Sequence, residues 1–139
     1  MSKIGIVMDS TGYLTKDILD EYQIKVVPLN VNIGEETFPE TELTNVNYFE
    51  KMSHISGLST TSQPSVGRFL EAYESLFSKG VEDIVSIHIS AAISGTLHSA
   101  QMAKELASSS KIHIFDSKSS ALGLGVLGWA AAEWAQQGL

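Results

Sequence analysis

Uncharged hydrogen-bonding side chains are concentrated directly before the clearest amphipathic helix pattern of the sequence. Residues 59–65 read STTSQPS and carry five hydroxyls, one amide and no charge. Ser65 stands where a helix N-cap is expected, and a helix N-terminus offers free backbone N–H groups and a partial positive charge. Hydroxyls beside such a terminus predict a site for a carboxylate or phosphate that uses no Lys or Arg. The alternative is that these side chains only cap the helix.

Three further loops share this composition, and each follows a predicted strand and precedes a predicted helix. They are residues 9–11 (DST), 90–96 (SAAISGT) and 116–120 (DSKSS). Ligands of open parallel α/β sheets bind at the carboxyl ends of the strands, so we expect these loops to meet at one edge. The candidate site residues are Thr61, Ser62, Ser94 and Gly95, with a surrounding set of Asp9, Ser10, Thr96, His98, Asp116, Ser117 and Ser119.

The elements that must position these loops follow from hydrophobic periodicity and from capping signals. Buried strands are predicted at 4–8, 84–89 and 111–115, and extended chain at 24–33 with an edge or a bulge at Pro28. The segment 34–43 is ambiguous. Helices are predicted at 15–22, 44–54, 65–79, 96–107 and 120–137. Alternating strands and helices predict an α/β fold with three layers, in which a mostly parallel sheet carries helices on both faces.

Composition limits the classes of partner. A chain of 139 residues suits one domain over 1–139, and its net charge of −7 disfavours nucleic acid and anionic membrane surfaces. There is no Cys, and no apolar run reaches the length of a signal peptide core or a membrane span. We therefore expect a cytoplasmic protein with no membrane span.

Several familiar motifs fail in context. Gly123, Gly125 and Gly128 spell G-x-G-x-x-G, but inside the last predicted helix rather than after a strand, so close packing explains them better than a dinucleotide. The histidines form no metal-binding pair, and Ser94 does not lie in a G-x-S-x-G elbow. Asp9 has no second carboxylate beside it to hold Mg²⁺, although a phosphotransfer or nucleotide-using α/β domain remains an alternative function.

The last helix carries two tryptophans that cannot share one buried face. Trp129 and Trp134 are five residues apart, which places them about 140° apart around a helix. This spacing predicts that part of the helix packs on a second domain or on another chain. A third possible function follows from it, namely an interaction domain that binds no small molecule.

Three blocks of the sequence together resemble the bacterial DegV family. They are TTSQPS at 60–65, SIHISAAISGT at 86–96 and DSKSSALGLG at 116–125, and the opening IGIVMDST and the VVPLNV segment at 26–31 agree in order and spacing. The resemblance implies a fatty-acid-binding protein that needs no cofactor and is not itself an enzyme. It also implies a partner, a fatty acid kinase related to dihydroxyacetone kinases, to which the protein presents a long-chain fatty acid.

The resemblance also implies roles for particular residues. Thr61 or Ser62 and Ser94 would bind the fatty-acid carboxylate, with help from the Gly95 N–H, while Asp116, Ser117 and Ser119 would line the neighbourhood. Two departures stand out. Pro39-Glu40-Thr41-Glu42 replaces an Asp-Gly pair and a further Asp of the family pattern. The family chain is about twice as long, so residues 1–139 would correspond to the first of two domains, and the second would supply an Arg and a His near the carboxylate.

Overall fold

The computed structural model describes residues 3–139 and places seven strands and five helices in that range. In chain order they are β1 (Ile4–Asp9), α1 (Lys16–Glu21), β2 (Lys25–Val27), β3 (Asn30–Ile33), β4 (Glu36–Pro39), α2 (Asn45–Ser53), β5 (Thr60–Ser62), α3 (Val66–Ser78), β6 (Asp83–His88), α4 (Thr96–Ala107), β7 (Ile112–Asp116) and α5 (Ala121–Gln137). Two 3₁₀ turns, Ser10–Gly12 and Glu40–Glu42, follow β1 and β4.

The main sheet is parallel and has the strand order β2-β1-β6-β7. The chain moves from β1 outward to β2, and later returns to place β6 and β7 on the other side of β1. The order therefore reverses between β1 and β6, where Met8 lies beside Ile87. The carboxyl ends at such a switch point form the crevice in which open α/β sheets bind ligands.

Helices cover both faces of this sheet, which confirms the predicted fold class. On one face α3 and α4 bury a cluster that includes Val7, Phe69 and Ala100. On the other face α1 and α5 pack over a cluster that includes Met8 and Leu124. Burial on both sides explains why β1 reads as an almost unbroken apolar run instead of alternating with polar residues.

A second, smaller sheet was not predicted. The segment 24–33 forms two strands rather than one, because the chain leaves the main sheet at Pro28, which has no N–H to donate to a ladder. Beyond it, β3 pairs antiparallel with both β4 and β5, in the order β4-β3-β5. Gly34, at φ +61°, is the first residue of the tight turn between β3 and β4. The polar stretch 59–65 thus contains the strand β5 as well as the Ser65 cap, whose Oγ accepts from Arg68 N at 3.3 Å.

The glycines of α5 let that helix approach the end of β1, which confirms that they serve packing. A Cβ placed on Gly125 would lie 2.3 Å from the backbone oxygen of Gly12, and one on Gly128 would lie 2.0 Å from Sδ of Met8. Gly12 belongs to the 3₁₀ turn that carries Ser10. The close approach of α5 therefore fixes the position of a loop that the sequence places in the candidate site.

We predict that Gly125→Ala destabilises the fold by about 2 kcal/mol or more, because the added methyl meets a backbone oxygen that no rotamer change can move. Urea-induced unfolding followed by circular dichroism measures the loss. Gly67→Ala on α3 is the matched control, since its Cβ would meet nothing closer than 3.9 Å. The control should change the free energy of unfolding by less than about 1 kcal/mol, in the stabilising direction. Equal effects in the two variants would contradict the packing role.

Candidate functional site

A buried carboxylate lies at the switch point of the sheet. Asp9 ends β1, and its side chain is 1% exposed. Its Oδ1 accepts from the N–H of Thr11 at 3.0 Å and from the Thr11 hydroxyl at 2.5 Å. Its Oδ2 accepts from the N–H of Ile89 at 2.8 Å and faces Nδ1 of His88 at 3.2 Å. The carboxylate therefore joins the ends of β1 and β6.

The hydrogen-bond chain continues from His88 into the interior. Nε2 of His88 lies 2.6 Å from Oγ of Ser86, which lies 2.9 Å from the hydroxyl of Tyr73. All three side chains are fully buried. One arrangement of hydrogen bonds satisfies the whole chain: Tyr73 donates to Ser86, Ser86 donates to Nε2 of His88, and Nδ1 of His88 donates to Asp9. Burial raises the pKa of Tyr73 to about 12, so its hydroxyl stays protonated.

The charge on Asp9 is maintained by its hydrogen bonds. Burial by itself raises the pKa of this carboxyl, but the hydrogen bonds from His88, Thr11 and Ile89 outweigh burial and hold the pKa below its ordinary value. Because every one of these partners is a donor, Asp9 is an anion that organises the backbone around it. It is not placed as a proton donor.

A cavity of about 780 Å³ opens beside this carboxylate, between the first turn after β1 and the smaller sheet with α2. Its walls mix aliphatic side chains with hydroxyls. The lining residues are Met8, Asp9, Ser10, Gly12, Tyr13, Leu14, Lys16, Leu19, Val26, Val31, Glu40, Thr41, Leu43, Thr44, Asn45, Tyr48, Ser59 and Thr61. Three of the residues predicted from the sequence, Asp9, Ser10 and Thr61, thus meet at one cavity.

Glu40 ties the smaller sheet to the main sheet across this cavity. It accepts hydrogen bonds from the hydroxyl of Ser10 and, at 2.7 Å, from the hydroxyl of Tyr13. Oγ of Ser10 in turn accepts from the N–H of Leu29 at 3.0 Å. The hydrogen bond to Glu40 raises the pKa of Tyr13 to about 12. The sequence analysis did not assign Glu40 or Tyr13 to the site, since nothing local links residues 30 positions apart.

The Ser94 turn is formed at the N-terminus of α4. The hydroxyls of Ser94 and Thr96 lie 2.9 Å apart, and Oγ of Ser94 accepts from the N–H of Thr96 at 3.2 Å. The Gln63 side chain packs against Gly95, because a Cβ on that glycine would lie 2.9 Å from Nε2 of Gln63. This contact places the polar block 59–65 beside the Ser94 turn. The sequence analysis did not assign Gln63 to the site, although its position inside the TSQP block could have indicated it.

The loop after β7 is hydrogen-bonded to the loop that carries Ser94. Oδ1 of Asp116 accepts from the N–H of Ala91 at 3.3 Å and of Lys118 at 2.9 Å. The backbone oxygen of Ser119 accepts from the N–H of Ser90 at 2.9 Å and from the hydroxyl of Ser117 at 3.2 Å. The side chains of Asp116 and Ser117 and the backbone of Ser119 are thus engaged in local hydrogen bonds.

Some candidates lie apart from the cavity. Ser94, Gly95, Thr96, Asp116, Ser117 and Ser119 are not among its lining residues, and Ser62 and His98 are exposed outside it. Among residues 3–139, no group of three or more His, Cys, Asp or Glu side chains is placed to hold a metal ion. Within the same range, no helix combines the length and apolar character needed to cross a membrane.

Comparison with known proteins gives one consistent family. Residues 3–139 match the model described as "Uncharacterised protein, DegV family". A DegV domain-containing protein of Halalkalibacterium halodurans is 44% identical over 118 residues, which cover 84% of this chain and 42% of that protein. The crystal structure of DegV, a fatty acid binding protein from Bacillus subtilis, is 37% identical with a TM-score of 0.89, over 99% of this chain and 49% of that one.

A second similar structure has the description "Fatty Acid Binding of a DegV family Protein from Thermus thermophilus". It is 30% identical with a TM-score of 0.89, and the match covers 99% of this chain and 49% of that protein. The chain therefore spans about half the length of the relatives that it matches.

We predict that Asp9→Asn lowers the free energy of unfolding at pH 7 by about 1–3 kcal/mol. Both oxygens of Asp9 accept from backbone N–H groups, so the NH₂ group of asparagine would place a donor opposite another donor. The folded-state pKa of Asp9 lies below its ordinary 3.8, so its contribution is complete above 3.8 and is lost as pH falls toward the lower value. The difference between wild type and variant should therefore shrink as the pH falls below about 4.

Urea unfolding over a pH series measures this difference. Asp17→Asn is the control, since Asp17 is an exposed acid in the first turn of α1. It should change stability by less than about 0.5 kcal/mol. A pH-independent difference for Asp9→Asn would contradict the charged, hydrogen-bonded state.

Proposed function

The chain belongs to the DegV family, and we propose that it forms the carboxylate-binding half of a protein that carries a long-chain fatty acid. The B. subtilis and T. thermophilus relatives are described as fatty acid binding. The observation that carries the proposal is the 780 Å³ cavity, whose wall combines aliphatic side chains with Thr61, while Gln63 of the same polar block packs against Gly95 of the Ser94 turn. Its size lies within the range of small-molecule sites.

The head group would be held by neutral donors. Thr61 and Ser62 belong to β5, and Ser94 and Gly95 lie at the start of α4, with Gln63 between the two segments. A buried carboxylate left unpaired costs several kcal/mol, and hydrogen bonds to a charged group contribute about 1.5–3 kcal/mol each. Two hydroxyls and one backbone N–H are therefore sufficient to offset the loss of water around the carboxylate.

The acyl tail would supply most of the affinity. Burial of about a dozen methylenes at ~0.8 kcal/mol each gives roughly 10 kcal/mol before the cost of association. Micromolar affinity requires about 8 kcal/mol. The leucines and valines of the cavity wall, which include Leu14, Leu19 and Val31, are the proposed contacts of the tail.

An exposed, uncharged head-group site suits presentation to a partner enzyme. Thr61, Ser62 and Gly95 are all exposed, so a bound carboxylate beside them can be reached from outside. We propose that the protein acts in the bacterial cytoplasm as a binding subunit and that a separate kinase, similar to dihydroxyacetone kinases, phosphorylates the presented acid.

The outer side of α5 would contact the second half of a full-length DegV chain. Its exposed large apolar residues are Leu122, Val126, Leu127, Trp129 and Trp134. A helix that is apolar around most of its circumference is usually buried, and the relatives are about twice as long as this chain. The same face would explain the tryptophan spacing noted in the sequence.

We predict that the double variant Thr61→Ala plus Ser94→Ala loses co-purified fatty acid, because it removes both hydroxyls proposed to hold the carboxylate. Loss of two charge-assisted hydrogen bonds should weaken binding by at least about 100-fold. Native mass spectrometry of the protein purified from bacteria measures the occupancy.

The matched control is Thr60→Ala. Thr60 is an exposed neighbour on the same strand, and its hydroxyl accepts from Asn32 instead of lining the cavity. The control should keep the occupancy of the wild type. Unchanged occupancy in the double variant would rule out the proposed head-group site.

We predict a second outcome for α5. Trp129 and Trp134 are the only tryptophans of the chain, so intrinsic fluorescence reports on this helix alone. Fusing residues 1–139 to the C-terminal half of the H. halodurans relative, with any tryptophan of that half replaced by phenylalanine, should shift the emission to the blue and reduce quenching by acrylamide, because both indoles lose contact with water. Trp134→Phe separates the two signals. Equal quenching in the fused and the isolated chain would exclude this face as the contact.

A further inference from the structure

Met8 lies between the cavity and α5. Met8 is 1% exposed, lines the cavity and belongs to the buried cluster beneath α5. Its outer atoms fill the space that two glycines leave open. A Cβ on Gly128 would lie 2.0 Å from Sδ, and a Cβ on Gly12 would lie 2.5 Å from Cε. The thioether is therefore confined on its helix side by backbone.

Met8 also lines the cavity, together with Leu14 and Leu19. A thioether is unbranched and adapts to irregular space, so the glycine contacts decide how far it extends into the cavity. Ser59 and Thr61 line the same cavity, and Thr61 belongs to the strand that carries part of the proposed head-group site. Because Met8 belongs to the main sheet and Thr61 to the smaller sheet, the two residues lie on opposite sides of the cavity.

We propose that Met8 is the residue that sets the acyl-chain length, and that its contact with Gly128 sets the depth of the cavity. This inference rests on the proposed fatty-acid function and adds the determinant of its specificity. The physical basis is that a chain one methylene too long must either displace Met8 or leave a methylene in water. Each methylene excluded from burial lowers affinity about fourfold.

Two substitutions at this contact should act in opposite directions. Met8→Val shortens the side chain without adding a clash, so it deepens the cavity and should shift the preferred acid toward chains one or two carbons longer, by about fourfold per methylene. Gly128→Ala forces Sδ of Met8 away from α5 and into the cavity, so it should favour shorter chains by a similar factor.

The double variant Met8→Val plus Gly128→Ala tests whether the two residues act through one contact. Valine has no Sδ for the new methyl to displace, so the Gly128→Ala effect on chain length should largely disappear in the Met8→Val background. Such non-additivity is expected only for residues that touch.

The experiment incubates the 139-residue chain and its variants with an equimolar mixture of saturated fatty acids and measures the bound distribution by native mass spectrometry. Ile6→Val is the matched control, because Ile6 lies on the same strand and in the same buried cluster as Met8 but does not line the cavity. It should leave the distribution unchanged. Urea unfolding checks that each variant is folded, and Met8→Val decides the result if Gly128→Ala does not fold.

A longer preferred chain in Met8→Val, with the control unchanged, supports the proposal. Retained binding with the wild-type distribution in Met8→Val overturns the proposal and leaves the fatty-acid function standing. Absence of bound fatty acid from the wild type and from every variant overturns both.

Discussion

The candidate site depends on the need to satisfy one buried negative charge. An unpaired carboxylate in a protein interior costs several kcal/mol, and Asp9 avoids this cost only if Thr11, His88 and Ile89 all point their donors at it. Two of those residues lie about 80 positions away in the sequence. Meeting this requirement aligns the end of β1 with the end of β6. The Ser10 turn and the Ser94 loop both start from these two strand ends.

The hydrogen-bond chain of His88, Ser86 and Tyr73 links Asp9 to the helix α3. Tyr73 lies in the middle of α3, so its hydrogen bond to Ser86 fixes the helix relative to β6. The N-terminus of α3 follows directly from the polar block 59–65, whose Gln63 packs on Gly95 at the start of α4. Core contacts thus hold together two polar blocks that are distant in the sequence.

Local patterns predicted the parts of this structure that are set locally. The apolar runs identified β1, β6 and β7, Ser65 identified the start of α3, and the glycine spacing identified close packing of α5. The rest depends on contacts between distant residues. Thr60–Ser62 becomes a strand only because β3 lies beside it, and its three polar side chains give no hydrophobic alternation to detect. Pro28 gave a signal for an edge or a bulge, but the change of sheet at that point depends on where β4 and β5 pair.

Charge fixes the orientation of a fatty acid in the proposed site. Asp9 and Glu40 belong to the cavity wall, and both are occupied as acceptors, by the donors of the β1–β6 crossing and by the hydroxyls of Ser10 and Tyr13. A second carboxylate at contact distance from either would be repelled by a few kcal/mol at the effective dielectric of a protein surface. A methyl terminus meets no such repulsion, because it carries no charge. A fatty acid bound as proposed would therefore place its methyl end on the Met8 side of the cavity and its carboxylate beside Thr61 and Ser94, where the exposed Thr61 would leave it accessible to a partner enzyme.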